Sequence, residues 1–159
     1  MSDVCARARR AVAAVTDPEL PMLTIAEMGI LRDVALIDGV VEVTITPTYS
    51  GCPALSVIGE DIAAALRAAG IGRFRIRHTL TPAWTSDWLS PDSRAKLAAA
   101  GIAPPMARRD EALFEGACPP CPRCGAVVSE AIARFGTTAC KSLWRCTVCR
   151  EPFDHFKCH

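Results

Sequence analysis

A chain of 159 residues, half of them hydrophobic, supplies one ordinary domain or two small ones with a real core. A formal net charge of +1 argues against bulk binding of nucleic acid or of an anionic membrane. No run approaches the roughly 20 apolar residues of a membrane-spanning helix, and the start MSDVCARARR carries no signal-peptide pattern, so the cytoplasm is the expected compartment.

In chain order, residues 3–15 place Val4, Ala8, Val12 and Val15 near one helical face. The stretch TDPELP (16–21) stops that helix, because a residue before proline avoids the helical region. Asp17 and Glu19 within it are turn residues or ligands. Residues 31–37 and 40–46 read as strands, and Asp38-Gly39 between them is a hairpin signal, since a type I′ turn needs positive φ twice. Val41, Val43 and Ile45 share one face of the second strand.

The stretch TITPTYSGCPAL (44–55) then carries the chain from strand to helix. Gly51 permits an unusual backbone and Pro53 suits a helix start, so Cys52 is expected at the helix N-terminus. The helix is expected over 53–69, with Leu55, Ile58, Ile62, Leu66 and Ala69 as its apolar stripe and Gly70 and Gly72 ending it. RFRIRHTL (73–80) alternates: Phe74, Ile76, His78 and Leu80 face one way, and Arg73, Arg75 and Arg77 the other. A strand–helix–strand unit implies a right-handed crossover and a parallel pair.

The expected fold class is α+β, a small helix-on-sheet domain (helix, β-hairpin, helix, strand) followed by a four-cysteine ribbon. Trp84 and Trp88 read as packing aromatics, since no basic groove accompanies them. A short helix is expected over 91–100, started by Ser90-Pro91-Asp92 and stopped by Gly101. Residues 101–117, rich in proline and charge, read as a linker. The expected division is a first domain over 1–100 and a cysteine-rich domain over 118–159.

Seven of the nine cysteines lie in residues 118–159, which in a reducing compartment points to metal before disulfides. Cys121/Cys124 and Cys146/Cys149 are CxxC pairs separated by 21 residues, close to zinc-ribbon spacing. A CxxC turn aims two sulfurs at one ion, and Gly125 lets the chain turn back after the first pair. Four thiolates at about 2.3 Å make a closed structural zinc site, although iron in a rubredoxin-like setting uses the same ligands. Cys118 overlaps as a further CxxC with Cys121. Cys140 is either a small buried strand residue or the partner of Cys158 in a redox couple or second metal site.

A thiol at a helix N-terminus feels the positive end of the helix dipole, so the pKa of Cys52 is expected to fall. The alternative is a small buried cap. No general base is evident, because His78 alternates with Phe74 and Ile76 and reads as a core residue. The arginines 73, 75 and 77 read as a solvated face or a docking patch for an acidic partner.

TDPELPMLTIAEMGILRDV (16–34) followed by TPTYSGCPA (46–54) resembles the SufT-like family associated with iron–sulfur cluster assembly. TPAWTSDWLS with GIAPP, CPRCG and FGTTACKSLWRCTVCREPFDHFKC resembles the PaaD-type family of phenylacetate degradation, the D-type (or J-type) component of phenylacetyl-CoA epoxidase. This resemblance runs from about residue 10 to Cys158. It implies a bacterial cytoplasmic accessory protein that assists iron–sulfur cluster assembly or insertion, with the iron–sulfur flavin reductase of the epoxidase as its client. It gives Cys52 the role of iron or cluster ligand, sets Asp17 and Glu19 near it, and makes Cys121, Cys124, Cys146 and Cys149 the zinc ligands. Cys140 and Cys158 match family cysteines without a stated role.

The implied cofactors are zinc and a transient iron–sulfur cluster. One thiolate cannot hold a cluster alone, so a homo-oligomer or a site shared with the client is expected. The residues themselves show no dinucleotide loop, no ExxH pairs and no flavin signature, which argues against an oxygenase centre on this chain. The competing readings are a non-catalytic scaffold of the epoxidase complex and a cysteine-dependent enzyme acting on an acyl-CoA at Cys52.

Overall fold

The computed structural model describes residues 2–106 and 118–157. The chain forms two compact units, Met1–Trp84 and Thr85–His159.

The first unit begins with α1 (Ser2–Ala13), then pairs β1 (Leu31–Ile37) with β2 (Val40–Ile45) through the Asp38-Gly39 turn. Both turn residues have positive φ, 51° and 76°, as the hairpin reading requires. Helix α2 (Ala54–Ala68) crosses back, and β3 (Phe74–His78) runs parallel to β2, giving the order β1-β2-β3. The alternation on β2 buries Val41, Val43 and Ile45 against the helical layer, where Ala8 and Val12 of α1 and Ile58, Ile62 and Leu66 of α2 complete the core. At about 25 cal/mol per Å² of apolar surface, each such side chain contributes roughly 1.5–3 kcal/mol.

Between α1 and β1 the chain forms an irregular but tightly bonded loop. The Asp17 N–H donates to Leu23 O at 2.9 Å and the Ile25 N–H to Val15 O at 2.8 Å. Thr24 and Glu27 cap each other reciprocally: the Thr24 N–H donates to Glu27 Oε2 at 2.9 Å, and the Glu27 N–H to Thr24 Oγ1 at 3.1 Å. Leu20, Leu23, Ile25, Met28 and Ile30 of this loop are buried. The loop is therefore part of the core, which fixes the backbone at Asp17 and Glu19.

Two details of the first unit depart from expectation. The strand over 73–80 shortens to Phe74–His78, and His78 and Leu80 are exposed. Because β3 is an edge strand, alternation decides which way a side chain points but not whether anything covers it. Leu55 is only half-buried on α2, and the buried stripe starts at Ala54 instead. The arginines 75 and 77 both reach Glu42, at 2.5 Å and 3.3 Å, so two members of the stripe are tied across the sheet to one carboxylate. Trp84 is buried, and its indole N–H donates to Met28 O at 2.7 Å.

The second unit opens with a single 3-10 turn at Ser86–Trp88 and α3 (Pro91–Ala99), whose Ser90 cap accepts the Ser93 N–H at 3.0 Å. A sheet follows in the order β4 (Ile102–Ala103), β7 (Pro152–Phe156), β6 (Lys141–Cys146), β5 (Ser129–Ala133). The strand β4 pairs in parallel with β7 at Ile102↔Asp154 and Ala103↔His155, so the stretch read as linker begins with two ribbon-sheet residues. Residues 107–117 of that stretch lie outside the described residues. Arg94 of α3 donates to Ser86 O at 2.9 Å, to Leu89 O at 3.4 Å and to Pro105 O, stitching the start of the unit to the segment after β4.

Gly136 sits so close to the ribbon sheet that a Cβ there would collide with the Asp154 carboxylate. Thr137 Oγ1 donates to Asp154 Oδ2 at 2.9 Å, which holds that carboxylate in place. Gly136→Ala is expected to destabilise the ribbon by about 1–3 kcal/mol through overpacking. Denaturant unfolding monitored on ribbon and first-unit resonances checks this; an unchanged ribbon midpoint would mean that the loop yields without cost.

Candidate functional site

Each unit carries one sulfur centre. In the first, Gly51 with φ of 83° turns the chain after β2, and Pro53 in helical conformation (φ −69°, ψ −20°) leads into α2. Cys52 therefore lies where the strand hands over to the helix, as read from sequence. It is half-buried, and no side chain caps α2. The Ala54 N–H and the Tyr49 hydroxyl both hydrogen-bond to its sulfur.

The expected fall in the pKa of Cys52 does not occur: the thiol is pushed up. Burial is the largest cause, and the charges of Glu19 and Asp17 add to it, while the Ala54 N–H and the Tyr49 hydroxyl pull the other way. The helix terminus does act on the sulfur, but desolvation and two nearby carboxylates outweigh it. Sequence placed Cys52 at the approach to α2 and could not place the acids Asp17 and Glu19 beside it in space.

Asp17 is 5% exposed, and its Oδ1 accepts the N–H groups of Glu19 at 2.7 Å and Leu20 at 3.0 Å. It is thus a turn residue that also projects charge toward Cys52. Tyr49 is the contributor that sequence reading missed. It is the chain's single tyrosine, three residues before Cys52, and that spacing across a Gly-containing turn was the available signal.

The second centre is built from two equivalent knuckles. After Cys121-x-x-Cys124, the Gly125 N–H returns to Cys121 O at 2.9 Å; after Cys146-x-x-Cys149, the Arg150 N–H returns to Cys146 O at 3.1 Å. Gly125 and Arg150 both adopt left-handed φ, 74° and 67°. Glycine does so freely, whereas arginine is strained there.

The four Sγ atoms lie within 4.8 Å of one another, with Cys121–Cys149 at 3.7 Å and Cys124–Cys146 at 3.6 Å. A tetrahedron of sulfurs about 2.3 Å from a central ion has edges of about 3.8 Å. The donor set therefore fits a tetrahedral thiolate-bound metal. The N–H groups of Cys149 and Val148 bond to Cys146 Sγ at 3.5 Å and 3.4 Å, and with the neighbouring thiols they hold it down at about 6. Cys149 receives an N–H bond from Glu151 that lowers it, yet burial and the surrounding thiols push it up to about 12. Packed this closely, the sulfurs cannot all ionise without a cation among them.

Among the described residues, Cys118 and Cys140 stand apart from this set. Cys118 Sγ donates to Ser129 O at 3.1 Å, so of the overlapping CxxC pairs it is Cys121/Cys124 that joins the cluster. Cys140 is buried, with its sulfur 3.0 Å from Thr138 Oγ1, and Cys158 lies outside the described residues. His155 is buried with Nδ1 3.4 Å from Ser142 Oγ and its ring edge-on to Trp144, and burial pushes its pKa down to about 4. Among the described residues, only the four-cysteine group brings three or more ligand atoms this close; Cys52, Asp17 and Glu19 share a field but not a ligand sphere.

Two family models match the two parts of the chain, and one relative spans nearly all of it. A model of the iron–sulfur cluster assembly protein family matches residues 6–73, and the PaaD zinc beta ribbon domain matches residues 108–157. The D component of the putative 1,2-phenylacetyl-CoA epoxidase of Escherichia coli (strain K12) is 43% identical over 150 residues, covering 92% of this chain and 88% of that protein. An Fe-S protein maturation auxiliary factor of Porphyromonas gingivalis (strain ATCC BAA-308 / W83) is 32% identical over 90 residues, covering 55% of this chain and 85% of that one. The crystal structure of a domain of unknown function, DUF59, from Bacillus anthracis shares the fold, with a TM-score of 0.54 at 23% identity over 60% of this chain and 92% of that one.

Removing one sulfur of the ribbon set, as in Cys146→Ser, is expected to lose the bound metal and unfold the ribbon while the first unit stays folded. Elemental analysis beside amide spectra reads both effects, and retention of stoichiometric metal would refute the ligand assignment. At the other centre, Glu19→Gln removes a charge that raises the Cys52 pKa, so the midpoint of Cys52 alkylation should move to lower pH. A pH–rate profile with peptide mapping follows it, and a midpoint that stays put or rises would exclude the charge effect.

Proposed function

The chain belongs to the family of the D component of phenylacetyl-CoA epoxidase, and on that premise we propose that it is a non-catalytic maturation factor of the epoxidase system. It works in the cytoplasm and helps assemble or insert an iron–sulfur cluster into the iron–sulfur flavin reductase. The cluster is cargo, and Cys52 is the sulfur that touches it. Zinc held by Cys121, Cys124, Cys146 and Cys149 keeps the ribbon folded and takes no part in transfer.

The observation that carries this reading is the environment of Cys52. Its sulfur is partly open to solvent, receives two hydrogen bonds and lies in the field of two carboxylates. That field keeps the proton on when the site is empty, and the same field favours a cation. Iron binding exchanges the thiol proton for a metal ion, the negative charge of Asp17 and Glu19 stabilises the incoming ion, and the proton leaves to water. One sulfur satisfies only part of the demand of a cluster, so a second copy of the chain or the client supplies the rest. The match of residues 6–73 to the assembly family, and the printed name of the Porphyromonas relative, support the assignment of this centre to iron–sulfur maturation.

Anaerobic reconstitution with iron and sulfide tests the proposal. The wild type is expected to bind cluster and to pass it to apo-reductase, and Cys52→Ala to fail at both while keeping its zinc. Equal cluster binding and equal reductase maturation by the two proteins would overturn it.

A further inference from the structure

The sheet of the first unit has the order β1-β2-β3, so β3 pairs on one side only, and among the described residues no strand pairs with its other side. The Val41 N–H donates to Arg73 O at 3.0 Å and the Thr79 N–H to Ile45 O at 2.9 Å. In the parallel register of β2 and β3, these bonds turn the backbone groups of residues 73, 75, 77 and 79 toward β2. The N–H and C=O groups of Phe74, Ile76 and His78 therefore point to the free edge.

The side chains along this edge sort by charge. Arg75 and Arg77 stand in register with Glu42 and Thr44, on the face of the sheet opposite Val41, Val43 and Ile45. Both are more than half exposed, 55% and 59%, and the carboxylate they share, Glu42, meets each of them at Nε. No carboxylate pairs with Arg73 among the described residues. Three guanidinium groups are thus set against one carboxylate. Phe74 and Ile76, which alternate with the arginines, are half-buried on the other face.

Charge decides what can pair here. A second copy added antiparallel about Ile76 would set Arg75 against Arg77, and like charges directly opposite each other destabilise a sheet. An acidic strand meets the reverse condition. In antiparallel addition to this edge, the residues opposite Arg75 and Arg77 fall in non-hydrogen-bonded pairs, where Cα atoms approach to about 4.5 Å and side chains are closest. We propose that the β3 edge docks an extended segment of a partner protein, added as an antiparallel fourth strand, with carboxylates at alternate positions opposite Arg75 and Arg77 and apolar side chains between them. Main-chain hydrogen bonds to Phe74, Ile76 and His78 supply the attachment, and the arginines select the sequence. The inference does not rest on the maturation role.

The test uses the full zinc-loaded chain and a capped heptapeptide, TEVEVET, with the backbone amide resonances of Phe74, Ile76 and His78 as readout. Saturable shifts and slowed hydrogen exchange at these amides are expected, with affinity falling as salt rises from about 0.05 to about 0.5 M. A lysine counterpart, TKVKVKT, and a scrambled TEEEVVT are expected to bind about fivefold or more weakly. Arg73→Gln combined with Arg77→Gln is expected to weaken TEVEVET about fivefold, the effect of two partly exposed ion pairs. His78 is exposed and its N–H points outward, so His78→Pro removes an edge donor and no ladder bond; it should fold normally and bind TEVEVET more weakly. Amides that do not move at millimolar TEVEVET, or equal binding of the lysine or scrambled peptide, would overturn the proposal, as would full affinity in both variants.

Discussion

Four sulfurs within 4.8 Å of one another set the terms for the whole second unit. As anions they repel, and as thiols they leave the knuckles resting on a small buried cluster, Ala103, Cys121, Cys146 and Phe153, two of whose four members are themselves cysteines of the set. That cluster is too small to offset the conformational entropy of ordering the strands around it. A divalent cation relieves both problems at once, because it offsets half of the charge of four thiolates and joins the two knuckles. The positive φ of Arg150 is intelligible on this basis: the second knuckle accepts backbone strain that glycine avoids in the first, because metal ligation demands the same turn twice.

The first unit treats its sulfur in the opposite way. Nothing about the core of α1, α2 and the three-stranded sheet depends on Cys52, which is half-buried at the margin of that core. The loop over residues 16–30 matters more than its irregular backbone suggests. Its buried leucines and isoleucines make it a structural part of the unit, and by that packing it delivers two carboxylates to the neighbourhood of the thiol. The electrostatics of the site are thus a consequence of hydrophobic packing some residues away.

What the sequence disclosed follows from the range of each interaction. Local rules worked: Asp38-Gly39 specified the hairpin, period-2 alternation specified the buried face of β2, and the CxxC spacing picked out the four sulfurs that come together, Cys121 rather than Cys118 among them. The parallel placement of β3 followed from the strand–helix–strand order, since a helix that crosses back returns the next strand parallel to the first. The misreadings all concern long-range neighbours. His78 had the right alternation but no cover at a sheet edge. The Cys52 pKa had the right helix terminus but the wrong sign, since the acids that help reverse it come from a loop 33 or more residues earlier in the chain. Ile102 and Ala103 looked like linker because a two-residue strand has no periodicity to detect, and only its partner β7 reveals it.

The two sulfur centres differ in how many ligands each offers. A closed set of four ligands on two rigid knuckles releases its ion only if a knuckle opens, which here means losing the N–H bonds to Cys146 and part of the buried cluster. A lone thiol offers no chelate, so under the proposed role a cluster touching Cys52 would be shared with ligands from elsewhere and could leave with them. The acids beside Cys52 strengthen attraction for a cation through their charge, and one oxygen of Asp17 is already engaged by backbone N–H groups. Attraction at a distance combined with few direct ligands gives quick capture and quick release. A carrier requires that combination, and a structural metal site excludes it.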